Sequence, residues 1–184
     1  MVSGKERSRS PLFITRIASF SAIGVAVGLI LAAIPNVEGV TAVCFSAGFL
    51  LGPISGLLCG LLTETLFAGF HPMGSSIGVT LLAQAAGMGL AGVLGGFAAH
   101  ISGPVPGFRN SLIIVALGIA ATILFDILTN LAYVFMAGFS FSQSSLVFAA
   151  ALPFAGIHLI SNIVVFSLIV TPLLPRLQRT MAST

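Results

Sequence analysis

Charge is the scarcest property of this sequence: its 184 residues include 7 Lys and Arg and 4 Asp and Glu, 6% of the chain, against 57% hydrophobic residues. A water-soluble domain has roughly a quarter of its residues charged. So few polar side chains cannot cover an aqueous globule, so the solvent for most of the chain is lipid. Disordered and fibrous classes are excluded by the same composition. Cysteine is also rare. Cys44 and Cys59 sit inside apolar runs without CxxC spacing, which reads as two small buried apolar residues rather than a redox or thiolate site. There is no GxxxxGK[ST] loop and no soluble domain or inverted repeat. The chain therefore cannot hydrolyse a nucleotide by itself, and any active transport draws its energy from a partner or an ion gradient.

What is present is a series of apolar runs near residues 12–34, 37–52, 53–70, 77–101, 110–137 and 146–174. The stretch 39–70 would make one helix about 48 Å long at ~1.5 Å per residue, too long for a hydrocarbon core of about 30 Å. Gly52-Pro53 in its middle is the expected punctuation between two helices. The apolar stretch Ile17 to Ile34 exceeds the ~7–15 residues of a signal-peptide core and reads as the first span. The expected organisation is a basic cytoplasmic tail (1–11), a six-helix membrane domain (12–174) and a second cytoplasmic tail (175–184).

The cations support that count. Lys5, Arg7, Arg9, Arg16, Arg109, Arg176 and Arg179 all fall on the cytoplasmic side with six spans and a cytoplasmic N-terminus. Five spans would put Arg109, Arg176 and Arg179 outside. The net charge of +3 thus reports topology and not nucleic-acid binding. The expected location is a bacterial or archaeal inner membrane, multi-pass, with both termini in the cytoplasm.

Three carboxylates lie in or beside apolar sequence: Glu38, Glu64 and Asp126. At bilayer depth such groups face a cavity or the bundle interior. Under the six-span topology they gather in the outer half, and so do other polar residues. Span five carries Thr122, Asp126, Thr129 or Asn130, and Tyr133 at helical spacing, a single polar stripe. Span six adds His158, Ser161 and Asn162, and span four adds Thr80 and Gln84. Asn36 precedes span two, and the turn-rich loop Gly69–Gly74, with His71, hangs over the same mouth. Four helices presenting polar groups toward one half of the membrane describe an outward-facing pocket for a small polar molecule. No HExxH-type spacing supports a metal site at Glu64, His71, Asp126 and His158, and no cofactor is indicated.

Small residues recur every fourth position: Ala18, Ala22 and Ala26; Gly48, Gly52, Gly56 and Gly60; Gly92 and Gly96. Each set makes a smooth ridge that another helix can approach closely. The glycine sets read as internal packing.

Taken together, the six spans, the basic ends, the Ala18-Ala22-Ala26 ridge, the Pro35-Asn36-Val37-Glu38 lead-in to span two, the Gly48 to Gly60 run, Glu64 and the loop His71-Pro72-Met73-Gly74 resemble the substrate-binding S component of energy-coupling factor (ECF) vitamin transporters. The resemblance covers nearly the whole chain. It implies an S-component-type six-helix bundle that captures a vitamin or related micronutrient outside the cell and joins a transmembrane coupling subunit driven by two ATPase subunits. It assigns Ala18, Ala22 and Ala26 to the coupling subunit, and it does not specify the vitamin. Two other classes fit the same residues. One is a stand-alone proton-coupled carrier working through Glu64 and Asp126. The other is an intramembrane enzyme using Asp126 and His158 as acid and base on a lipid, against which the lack of a nucleophile or metal motif counts.

Overall fold

The computed structural model describes residues 11–102 and 107–182. Lys5, Arg7 and Arg9 of the basic tail lie outside the described residues. Helix α1 runs Pro11–Leu31, α2 Val40–Leu51, α3 Pro53–Gly69, α4 Gly78–Ile101, α5 Phe108–Ala137 and α6 Phe141–Val165. A π-helical turn, Phe166–Val170, then leads straight into α7, Thr171–Ala182. The described residues contain no strand.

The break at Gly52-Pro53 has a local cause. Gly52 takes φ 97°, where a Cβ is disfavoured, and Pro53 opens α3 where its missing N–H is not needed. The two helices it separates are short. α2 has 12 residues and α3 has 17, about 18 and 26 Å at ~1.5 Å per residue, against a hydrocarbon core of about 30 Å. Four segments are long and apolar enough to cross a membrane: α1, α4, α5 and the continuous run Phe141–Thr180. The six expected spans are therefore four of full length and two shorter apolar helices.

Three boundaries move. α1 stops at Leu31 and the chain turns through 32–36, with Asn36 in the left-handed region at φ 58°. α6 begins at Phe141 and not at 146, because Ser140 and Gln143 form a capping box that starts the helix within a serine-rich stretch. The expected C-terminal tail from 175 is helical through Ala182.

Successive helices alternate in direction, and α4 is the axis of the packing. It touches α2, α3 and α5, and its buried face is made of Ala85, Gly87, Met88, Gly89, Ala91, Gly92, Gly95, Gly96 and Ala98. With so little side chain, main chain meets main chain. A Cβ on Gly92 would strike the Gly56 carbonyl, one on Gly48 the Gly92 carbonyl, and one on Gly60 the Met88 carbonyl. In lipid the hydrophobic effect does not drive helices together, so van der Waals contact of this kind carries the association. On the other side of α2, Phe45 meets Phe166 edge to face at 5.0 Å within a cluster that includes Ile114 and Leu174. Leu, Ile and Phe side chains such as Ile30, Leu82, Phe135 and Leu168 cover the outer faces, a surface suited to lipid.

The last rod carries a line of buried residues at a spacing of four, His158, Asn162, Phe166, Val170 and Leu174, joined near its end by Thr171 and Pro175. α1 is more peripheral, packing on α2 and α3. Its buried residues are Ile17, Ser21, Gly24 and Gly28, which leaves Ala18, Ala22 and Ala26 exposed. Cys44 and Cys59 are free and fully buried.

Gly92→Ala should destabilise the protein by about 1–3 kcal/mol, since a carbonyl cannot retreat as a side chain can. Gly156→Ala, where a new Cβ meets nothing within 4 Å, should be neutral or stabilising by up to about 1 kcal/mol. Thermal unfolding of both variants in detergent checks the contrast; equal melting points would show that α4 does not depend on the glycine contact.

Candidate functional site

A cavity of about 640 Å³ opens at the end of the bundle where α1, α3 and α5 finish and α2, α4 and α6 begin. That volume suits a small organic molecule. Of the ten polar residues singled out in the sequence, Asn36, Glu38, Glu64, His71, Gln84, Asp126, Asn130 and His158 line it. The described arginines belong to the opposite end: Arg16 lies early in α1, Arg109 is second in α5, and Arg176 and Arg179 are in α7.

The floor is built around His158. Its Nδ1 lies 2.8 Å from Asp126 Oδ1 and its Nε2 lies 3.1 Å from Glu38 Oε1. Glu38 is fixed by three further donors. It accepts the backbone N–H of Thr41 at 3.0 Å, the Thr41 hydroxyl, and Asn162 Nδ2 at 3.2 Å. The carboxylate thus also satisfies an open N–H at the start of α2, where the helix dipole favours negative charge. The Phe125 and His158 rings meet edge to face with centroids 5.9 Å apart. An imidazole that donates from both nitrogens is an imidazolium, and a neutral one donates from one, so the other carboxyl must then carry the proton. Glu38, His158 and Asp126 therefore hold at least one shared proton among them.

The walls come from neighbouring helix ends. Glu64, in the last turns of α3, is 2% exposed, and its Oε2 has no hydrogen-bond partner. Gln84, on α4, likewise has a buried Oε1 without a partner. On α5, Thr129 and Asn130 bond to main-chain carbonyls of their own helix, Asn130 Nδ2 to Asp126 O at 2.7 Å. At the mouth, His71 Nδ1 accepts the Met73 N–H at 3.2 Å, and the His71 and Phe67 rings meet edge to face with centroids 5.0 Å apart.

Two of the ten do not line the cavity. Asn162 is fully buried beneath the floor, where it holds Glu38. Tyr133 is 55% exposed and packs edge to face with Phe139, because it stands about two turns beyond Asp126, near the end of α5. Thr122 is buried deeper and bonds to Gly118 O. The aromatic wall of Phe67, Phe125 and Phe154 was not among the sequence candidates. Its signal was helical spacing from the polar residues: Phe67 is three after Glu64 and Phe154 four before His158.

Among the described residues, no group of three or more His, Cys, Asp or Glu is placed to hold a metal ion. The arrangement is an acceptor-rich cup with aromatic sides. His158→Ala would leave two carboxylates facing each other without their bridge, at a cost on the order of 3 kcal/mol. Adding Asp126→Asn should cost less than it does in the otherwise unchanged protein, a coupling that a double-mutant cycle of thermal or denaturant unfolding reads directly. Strict additivity would show that the bridge contributes nothing. No protein-family model, curated protein or solved structure matches this chain.

Proposed function

We propose that this protein is the membrane-embedded substrate-binding subunit of an ECF-type importer, capturing a vitamin-like micronutrient outside the cell and passing it on with a transmembrane coupling subunit and two ATPase subunits. The observation that carries the reading is the polarity of the bundle: an acidic, aromatic-walled cavity at one end and the arginines at the other. The positive-inside rule then turns the cavity outward and both termini inward. A second feature supports it. Ala18, Ala22 and Ala26 form a smooth exposed strip on α1, a helix whose inner face is already occupied by Gly24 and Gly28, and such a strip suits close approach by a partner helix. In this reading the chain binds and the partners supply the energy.

The competing reading is a stand-alone proton-coupled carrier, and the Glu38–His158–Asp126 chain is what favours it. Asp126→Asn separates the two. A binding subunit loses ligand affinity about tenfold to a hundredfold, as expected when an acceptor-only group becomes an amide. A carrier keeps its affinity and loses the pH dependence of uptake.

Ala22→Leu should lower uptake in cells by about tenfold or more while the affinity of the purified protein stays within about twofold, because the leucine holds off a partner helix far from the cavity. Parallel losses of binding and uptake would mean that the strip packs within the subunit. A thiol introduced at Gly74 should react with an impermeant reagent in intact cells and one at Arg109 should not; the reverse pattern would invert the topology and remove the importer reading.

A further inference from the structure

The cavity has a charge balance that selects its ligand. Glu38, Glu64 and Asp126 all line it, and among the described residues no lysine or arginine does. His158 stands between Glu38 and Asp126 and even as an imidazolium offsets one carboxylate. Glu64 is left over. It is 2% exposed, and its Oε2 receives no hydrogen bond. Gln84, half-buried as a residue, likewise has a buried Oε1 that receives no hydrogen bond. Two buried acceptors without donors, on adjoining helices and both lining one cavity, are an unusual expense in a folded protein unless something that enters supplies the donors. An anion would meet carboxylates with no fixed cation to hold it. An apolar solute would leave both acceptors unsatisfied. Phe67, Phe125 and Phe154 add flat apolar walls whose ring faces attract cations and stack on rings.

Resting on the reading of this cavity as a solute-capture site, we infer that the solute is an organic cation built on a flat ring, whose protonated, N–H-bearing nitrogen docks on Glu64 and Gln84 while the ring lies among Phe67, Phe125 and Phe154. The His158 bridge stays in place as the floor and is not consumed by the ligand. Selectivity then has two independent sources: charge-assisted hydrogen bonds at the Glu64 end and ring contact along the sides.

Three probes of one size and shape isolate the charge: benzamidine (cation), benzamide (neutral) and benzoate (anion). Each is titrated calorimetrically into the full chain purified in detergent. Benzamidine should bind about tenfold or more tighter than benzoate, with benzamide between them. Glu64→Gln should weaken benzamidine about tenfold and change benzamide by less than about threefold. Gln84→Glu, which adds a carboxylate at the second acceptor, should tighten benzamidine and weaken benzoate, and it serves if Glu64→Gln does not fold. Benzoate binding as well as benzamidine, or no probe binding at millimolar concentration, overturns the inference, as does benzamidine affinity indifferent to both substitutions. The outcome is separable from the importer reading. Cation preference with uptake that ignores Ala22→Leu keeps this inference and removes the importer, and anion preference with partner-dependent uptake does the reverse.

Discussion

Everything in this bundle depends on how closely α4 can be approached. Two of its neighbours, α2 and α3, are shorter apolar helices than the four of full spanning length, and neither brings a large apolar face that lipid would not satisfy equally well. What holds them is contact between main chains at Gly48, Gly56, Gly60 and Gly92, where every atom pair sits at short range and no side-chain entropy is lost on packing. Because α2 and α3 are held against α4, Glu38 just before one and Glu64 near the end of the other are brought to the same cavity. The site is thus a by-product of glycine placement as much as of the acids themselves.

Much of this architecture was legible in the sequence. Gly52-Pro53 announced the break between α2 and α3, since a positive-φ glycine followed by proline leaves the chain little alternative. Carboxylates in apolar sequence announced the cavity, because lipid tolerates them in few other places. Other features were hidden for physical reasons. Hydropathy does not mark Ser140 to Ser145 as helix, because a capping box and not an apolar run starts α6 there. The aromatic wall was obscured because 15 phenylalanines leave no single one conspicuous. Asn162 and Tyr133 carried the right chemistry, but burial beneath Glu38 and a position about two turns beyond Asp126 decided their places.

The polar floor shows why so few charged residues suffice. Glu38 is at once a cap for α2, a partner of His158 and an anchor for Asn162. Through His158 it reaches Asp126 on α5, so three helices with no sequence proximity are tied by one imidazole. In a low-dielectric surrounding each of these bonds is strong, and each would be costly to leave unmade. That economy also isolates Glu64, which the network does not reach.

The four-residue spacing along the final rod has a mechanical consequence. In an unbroken α-helix, residues four apart drift by about 40° per step, about 160° over the four steps from His158 to Leu174. The π turn at Phe166–Val170 winds more slowly and takes back part of that rotation, so His158 and Asn162 by the cavity and Val170 and Leu174 toward the arginine-bearing end all stay on the buried side of the rod. With Phe166 fully buried at the π turn, the cavity end and the arginine-bearing end of the rod share one continuous packed side.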